Sequence, residues 1–289
     1  MKILFTTDIH ADPSLLGQLS RVAGSHRIDA LIIGGDIVPH SLPQARVLGL
    51  LGAQAAYLEN TLVPALQQMK ARQDMDIYLD LSNDDFAANR HILEHYQGKL
   101  LHLLHMQRHP LNAHIDVLGY MNVPPTPFQR KDWEKPDTAD RPYAPGARVR
   151  LRGYLTHTGR IQETVLDLDS HHTMEKDLNR LSAQIHRPFI FVAHCPPWDT
   201  PLDLLSNGQH AGSLSIRRFV EHWGRQGRMM ASLHGHIHES PQVSGAVHTR
   251  INGTLCINPG QQNRLQFVIV EITGDAVTPE IVLIGSFHA

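Results

Sequence analysis

Short apolar runs recur along the chain, and several of them stop just before polar side chains. The first three are residues 2–6 before Asp8 and His10, residues 29–33 before Asp36, and residues 76–81 before Asn83. Continuous apolar runs of this length are typical of strands that are buried on both faces. Asp8 and His10 are two positions apart, so we expect them to point the same way if the strand continues through them.

Helical patterns lie between these runs. Residues 13–25 carry Leu15, Leu16, Leu19 and Val22 at helical spacing, and residues 45–72 predict one long helix or two with a break at Pro64. Strands that alternate with helices are the pattern of a layered α/β domain.

The second half of the chain is less regular. Residues 120–147 predict a long loop insertion rich in proline and charge, and a loop of that length is usually functional or poorly ordered. We predict a strand at 147–155 and a helix that begins at an N-cap on Ser170 and ends near residue 186. Further strands are predicted at residues 100–104, 115–120, 188–193, 229–233, 247–251, 255–258, 265–272 and 281–283. No linker divides the chain, so we expect a single domain over 1–289.

Composition narrows the class of protein. The chain has 289 residues, 42% hydrophobic content and a formal net charge of −2, which gives no sign of a general nucleic-acid or membrane-surface binder. Two cysteines are too few for a disulfide framework, and no run has the length of a membrane-spanning helix. We expect a cytoplasmic protein. The 21 histidines matter because histidine is the commonest metal ligand.

Metal-type side chains follow five of the predicted strands. They are Asp8, His10, Asp36, Asn83, His194, His236 and His238. If the strands lie side by side, their carboxyl ends meet at one rim of the sheet. Seven such groups are enough for two divalent ions with one shared carboxylate. Two ions about 3.5–4 Å apart can hold the attacking and leaving oxygens of a phosphoryl displacement, with a bridging hydroxide as the nucleophile. The first stretch taken alone fits a strand that runs into an Asp-initiated turn equally well.

The motifs Asp8-Ile9-His10, Gly35-Asp36, Asn83, His194 and Gly235-His236-Ile237-His238 resemble the calcineurin-like metallophosphoesterases, in the order of that family. The bacterial branch related to the Icc cyclic-nucleotide phosphodiesterase is the most similar part of the family. The resemblance implies a four-layer α-β-β-α sandwich of two mixed β-sheets flanked by helices. It implies one ion on Asp8, His10, Asp36 and His238, and a second on Asp36, Asn83, His194 and His236.

One motif departs from the family pattern. The family usually has Gly-Asn-His-Asp or Gly-Asn-His-Glu, where the histidine is thought to protonate the leaving group. Here Ser82 replaces the glycine and Asp84 replaces the histidine, while Asn83 is kept. Metal binding is therefore expected, and general-acid catalysis by Asp84 is not, because an aspartate ordinarily has no proton to give near neutral pH.

The leading hypothesis is a hydrolase that uses two divalent ions to cleave a small-molecule phosphodiester or phosphomonoester. Oxygen and nitrogen ligands without thiolate suit Mn²⁺, Fe²⁺, Zn²⁺, Co²⁺ or Ni²⁺. A non-catalytic metal-binding interaction module on the same fold is an alternative that lost ligands would favour. A nuclease is another, and it would need a basic groove that the near-neutral charge argues against.

Several other residues have two interpretations. His234 fits a core position or a contact to a ligand imidazole, and His40 fits a loop better than a catalytic acid. The stripe of Arg148, Arg150 and Arg152 fits a solvated strand face, with an anionic-substrate guide as the rival interpretation. Cys195 fits a small buried filler better than a nucleophile. We also predict that residues 120–130 fold over the metal rim and shape the substrate pocket.

Overall fold

Two six-stranded sheets form the centre of the fold. The computed structural model describes residues 1–41, 47–261, 264–274 and 279–288. The strands are β1 (Lys2–Thr6), β2 (Ala30–Ile33), β3 (Asp76–Leu79), β4 (His102–Leu103), β5 (Arg108–Pro110), β6 (Asp116–Tyr120), β7 (Arg152–His157), β8 (Arg160–Val165), β9 (Phe189–Ala193), β10 (Met229–Leu233), β11 (His248–Ile251), β12 (Thr254–Ile257), β13 (Gln266–Gly274) and β14 (Pro279–His288). The helices are α1 (Pro13–His26), α2 (Val47–Tyr57), α3 (Val63–Arg72), α4 (Arg90–Glu94), α5 (Met174–Ser182), α6 (Leu214–Arg225) and α7 (Ser240–Ser244).

Both sheets are mixed. The first has the order β14-β13-β1-β2-β3-β4, with β1 to β4 parallel and the other two antiparallel. The second has the order β11-β12-β10-β9-β6-β5, with the four central strands parallel and both edges antiparallel. Parallel neighbours bring their carboxyl ends to the same edge, so each sheet delivers several strand ends to one rim.

The core follows from the alternation of side chains along the strands. In β9, Ile190 and Val192 join a core cluster that also contains Leu31 of the first sheet, whereas Phe189 and Phe191 pack with α5 and α6 on the other side. The outer face of the first sheet is covered by α1 and α3. The expected α-β-β-α sandwich with two mixed sheets is therefore confirmed.

Residues 47–72 form one continuous helical run, with a π-helical turn at Leu58–Leu62. The N–H of Val63 donates to the carbonyl of Leu58, five residues back. Pro64 follows directly, and its ring would clash with the carbonyl four residues before it in a regular helix. The wider turn makes room for the proline, so the helix continues where the sequence allowed a break.

Between residues 147 and 225, two sequence predictions were wrong and one helix was missed. The N-cap of α5 is Thr173, which accepts from the N–H of Lys176, and Ser170 lies outside the helix. The strand predicted from residue 147 begins only at Arg152 and pairs with β8 as a separate hairpin. Helix α6 was missed although its apolar face packs on the second sheet.

The segment between β6 and β7, residues 121–151, is described throughout and contains no helix or strand. That it is an insertion in a single domain stays a prediction. Among the described residues, no helix has the length and apolar character needed to cross a membrane.

Glycine is required where β6 passes the backbone of the first sheet's edge. A Cβ on Gly119 would lie 2.5 Å from the carbonyl oxygen of Leu104, whereas a Cβ on Gly17 in α1 would meet nothing within 4 Å. We expect Gly119→Ala to destabilise the fold by about 1–3 kcal/mol through overpacking. Gly17→Ala should stabilise it by about 0.5–1 kcal/mol, because alanine loses less backbone entropy in a helix. Urea unfolding of both variants tests this, and equal effects would contradict the close approach.

Candidate metal centre

The predicted ligands all follow the carboxyl ends of strands, and the structure brings six of them into two groups. The seventh, Asn83, lies between Ser82 and Asp84, which both donate to Asp36. Asp8 and His10 follow β1, Asp36 follows β2 and Asn83 follows β3, while the second sheet contributes His194 after β9 and His236 and His238 after β10. Donor atoms of Asp8, His10, Asp36 and His238 lie within 4.8 Å of one another, as do those of Asp36, His194 and His236. Asp36 belongs to both groups, which is the position that the family resemblance implies for a bridging carboxylate.

Several of these residues have an unusual backbone conformation. Asp8, His10, Asp36 and His236 have φ angles of 55°, 43°, 49° and 67°. Residues other than glycine rarely adopt this left-handed region, and such strain is tolerated mainly at functional sites. The expectation that Asp8 and His10 share one face of an extended strand was wrong, because β1 ends at Thr6. A left-handed turn, and not strand alternation, directs both side chains to the same site.

Contacts between carboxylates and imidazoles connect the two sheets. The Nε2 atom of His238 lies 3.1 Å from Oδ1 of Asp8, and Nε2 of His194 lies 3.3 Å from Oδ2 of Asp36. The backbone N–H of His236 also donates to both oxygens of Asp8, at 3.2 and 3.1 Å. The site is therefore held at the junction of the two sheets.

Mutual neutralisation sets the pKa values of Asp8, His194 and His238 in this cluster. Burial alone would raise the pKa of Asp8, but the imidazoles of His238 and His194 outweigh it and hold that pKa at about 2. Burial likewise lowers the pKa of His194 and His238, but the carboxylates of Asp36 and Asp8 outweigh it and raise both to about 9. Without a cation, protons on these imidazoles balance the carboxylate charge, and metal binding would displace them.

Three buried atoms of the predicted ligands that could bind a metal have no hydrogen-bond partner. They are Oδ1 of Asn83, Nε2 of His194 and Nδ1 of His10. Buried polar atoms are nearly always satisfied, and an exception calls for a specific explanation such as a bound ion. Nδ1 of His194 donates to the carbonyl of Gly34 at 2.8 Å, so Nε2, on the side of Asp36, is the nitrogen that would give up its proton to bind a cation. The residues therefore fit divalent cations.

Two motif glycines allow the close packing around these atoms. A Cβ on Gly235 would overlap the side chains of Thr7 and Asp8, and one on Gly35 would lie 2.5 Å from Oγ of Ser82 and 2.8 Å from Nδ1 of His194. Gly35 also has a φ of 107°, which L side chains rarely adopt. Glycine is therefore required before Asp36 and before His236, because a side chain there would collide with residues around the ligands.

Some supporting residues were missed from sequence. Oγ of Ser82 accepts from the N–H of Asp36 at 2.7 Å and donates to Oδ1 of the same residue. Asn258, at the end of the strand predicted at 255–258, donates through Nδ2 to the carbonyls of Gly235 and Ile237 on either side of His236. Both residues look like ordinary turn formers in sequence, and only the tertiary fold reveals what they position.

Asp85 fastens the loop after β2 to the loop after β3. Its carboxylate accepts from the N–H groups of Ile37, Val38 and Ser82 at 3.0–3.2 Å. The backbone N–H of Asp84 donates in turn to Oδ1 of Asp36 at 2.9 Å. The loops that carry Asp36 and Asn83 are therefore held as one unit.

Asp84, which stands where the family has histidine, pairs with a residue of the segment between β6 and β7. We call this segment, residues 121–151, the irregular segment. Arg130 donates through Nη2 to Oδ1 of Asp84, and its Nη1 donates to the carbonyl of His40 at 3.0 Å. Oδ2 of Asp84 lies 3.9 Å from Nδ1 of His10. Asp84 therefore accepts from the guanidinium of Arg130 and lies beside His10, a predicted ligand, without a hydrogen bond to it. The pairing of Arg130 with Asp84 could not be predicted from sequence, because the two residues are 46 positions apart.

The structure distinguishes between the two interpretations of His234, His40 and Cys195. His234 is a buried core residue whose Nδ1 lies 2.9 and 3.0 Å from the carbonyls of Ala193 and Cys195, so it supports the strand end that carries His194. His40 is an exposed loop residue, although its ring packs against His10 with centroids 4.6 Å apart. Burial raises the pKa of the Cys195 thiol well above its usual value, which disfavours a thiolate nucleophile.

Comparison with known proteins supports the same fold. No protein-family model and no curated protein matches the chain. Among solved structures, TT1561 of Thermus thermophilus is 13% identical, with a TM-score of 0.55 over 98% of each chain. A dimetal phosphatase from Danio rerio is 10% identical, with a TM-score of 0.51 over 99% of each chain. The protein therefore has the fold of the calcineurin-like metallophosphoesterases, and the resemblance seen in its motifs is confirmed at the level of fold.

The role of Asp85 can be tested by truncation. Asp85→Ala leaves three buried N–H groups without their acceptor, and each orphaned group costs about 1–3 kcal/mol. We expect the free energy of unfolding to fall by roughly 3 kcal/mol or more. Asp169→Ala is the control, because that aspartate is exposed, and its effect should stay within about 0.5 kcal/mol. Urea unfolding with equal losses for the two variants would refute the fastening role.

Proposed function

We propose that the protein is a phosphoric ester hydrolase that depends on two divalent metal ions and acts on a small-molecule phosphodiester or phosphomonoester. The observation that carries the proposal is the pair of ligand groups that share Asp36, together with buried donor atoms that lack any hydrogen-bond partner. A cytoplasmic location belongs to the same proposal.

The ligand assignment follows the two groups. Asp8, His10 and His238 would hold one ion and His194 and His236 the other, with Asp36 between them. Asn83, whose Oδ1 is buried without a hydrogen-bond partner, would be a further ligand of the second ion. When bound, such ions supply Lewis acidity toward the phosphoryl group and ionise water near neutral pH. Mn²⁺, Fe²⁺, Zn²⁺, Co²⁺ and Ni²⁺ all suit a site of carboxylates, imidazoles and one amide.

The side chains of the protein would do the rest by positioning. Gly34 fixes the tautomer of His194 through its carbonyl, and Ser82 orients the Asp36 carboxylate. Arg130 holds Asp84 as a hydrogen-bond acceptor beside His10, which supports a site without a general acid at this position. Leaving-group departure would then depend on the ions or on an ester whose leaving group needs no proton.

The alternatives make different demands on the sequence. A non-catalytic interaction module would not need a complete ligand set, and all seven predicted ligands are present. A nuclease would need a basic groove along a polynucleotide, and the formal net charge of −2 gives it no support.

The direct test is elemental analysis of the purified protein, combined with a screen of model phosphate esters in added Mn²⁺. We expect about two equivalents of divalent metal and hydrolysis that chelation abolishes and metal restores. Two bound equivalents without hydrolysis of any monoester or diester would favour the interaction module instead.

The shared carboxylate gives a stoichiometric prediction. Asp36→Asn should remove more than one equivalent of metal and nearly all turnover, because Asp36 belongs to both ligand groups. His238→Ala should remove mainly one equivalent, because His238 belongs to one group. His248→Ala is the control, because that histidine is exposed, and it should keep the wild-type metal content. Wild-type metal content and rate in Asp36→Asn would refute the assignment.

A second comparison concerns the residue that replaces the family histidine. Asn83→Ala should be severe on every ester, because it removes a proposed ligand. Asp84→Ala should change kcat/KM by less than about tenfold, equivalent to roughly 1.4 kcal/mol, on both nitrophenyl and alkyl esters. We also expect nitrophenyl esters to be cleaved well and alkyl esters poorly. A collapse of alkyl-ester hydrolysis alone in Asp84→Ala would identify Asp84 as the acid.

A further inference from the structure

A pocket of about 240 Å³ lies beside His236, between the irregular segment and the loop after β10. Its wall is mainly apolar, with contributions from Pro125, Pro127, Phe128, Ala147, Leu205 and Ile237. His236 belongs both to this wall and to one of the two ligand groups. The pocket therefore adjoins the candidate metal centre at His236.

The wall formed by residues 124–128 is held in place by a buried polar cluster. Nζ of Lys131 lies 2.9 and 2.8 Å from the two oxygens of Glu134, and both side chains are fully buried. Oγ1 of Thr126 donates to Glu134 and accepts from the N–H of Phe128 at 3.1 Å. The N–H of Arg150 binds the carbonyl of Thr126 at 2.9 Å. The apolar wall is thus preorganised, and organised walls are typical of ligand sites.

The exposure of Phe128 indicates what kind of group this wall could bind. Its side chain belongs to the pocket, yet 48% of its surface is exposed. A large aromatic ring that is left half uncovered on an otherwise ordered wall provides surface for an incoming apolar group.

Size and charge restrict the group that fits. An engineered protein cavity of roughly 150 Å³ holds one benzene ring, so about 240 Å³ holds a substituted ring or two fused rings. The charged residues of the lining are one arginine, Arg148, and one glutamate, Glu239, whose charges cancel. The amides of Asn207 and Gln209 can satisfy polar atoms at the edge of a ring. The pocket therefore suits an uncharged ring system with a polar edge.

We propose that the pocket receives the uncharged, ring-bearing organic group of a phosphate ester whose phosphoryl group lies at the candidate metal centre. The inference rests on the proposed function, because the metal centre supplies the site for the phosphoryl group. It assigns to this chain a preference for aryl or heterocyclic esters over small alkyl esters, and it gives the irregular segment a role in substrate selection.

Direct binding tests the pocket without relying on turnover. Methylphosphonate and 1-naphthylmethylphosphonate carry the same anionic group on a carbon–phosphorus bond, and calorimetry gives their Kd values for the Mn²⁺-loaded protein. We expect the naphthyl compound to bind about 10- to 100-fold more tightly, because it buries a ring of the size of an aromatic side chain.

Two filling variants check the location. Ala147→Trp and Ala211→Leu add volume from opposite chain segments of the lining, and each should reduce the preference to less than about threefold while the Kd of methylphosphonate stays near wild type. Val165→Trp, at a residue 62% exposed on β8, is the control and should keep the full preference. Thermal melting of each variant confirms that it folds.

The outcomes separate the pocket from the proposed function. Equal affinity of the wild type for the two phosphonates, or a preference that survives both filling variants, would overturn the pocket even if esters are hydrolysed. A naphthyl preference that both filling variants remove would support the pocket even if no ester is hydrolysed. Failure of both phosphonates to bind would overturn the pocket, while metal content and hydrolysis of model esters would still decide the proposed function.

Discussion

The carboxylate of Asp36 is the point on which the candidate site depends. It accepts from Ser82 and from the backbone of Asp84, and it lies 3.3 Å from Nε2 of His194 on the opposite sheet. Parallel pairing in both sheets sends strand ends to one rim, and the packing of the sheets brings the two rims together at this residue. Two ligand groups that meet at one carboxylate are what a dinuclear centre requires.

Much of this could be predicted from sequence, because apolar runs that end in metal-type residues carry both the strand and the ligand in a few positions. The features that could not be predicted depend on contacts between residues far apart in sequence. The left-handed turn at Asp8 and His10 accommodates hydrogen bonds from Asp8 to Gly35 and from His10 to Asp36. The pairing of Arg130 with Asp84, and the support that Asn258 gives to the His236 loop, join residues that no local pattern relates.

The irregular segment after β6 is ordered by contacts of its own side chains. A loop without strands or helices would ordinarily have little order, yet this one is fixed by the buried Lys131–Glu134 pair and by Asp137, which accepts from Ser213, Leu214 and Ser215 at the start of α6. The shared geometry of a fold does not determine substrate, so such a segment is where specificity can be added to a common metal centre.

Anomalous diffraction from crystals soaked in Mn²⁺ would show whether two ions share Asp36. We predict two anomalous peaks about 3.5–4 Å apart, one on each side of the Asp36 carboxylate, with Oδ1 of Asn83 and Nε2 of His194 directed at the same peak. A single peak, or peaks that do not contact Asp36, would contradict the account.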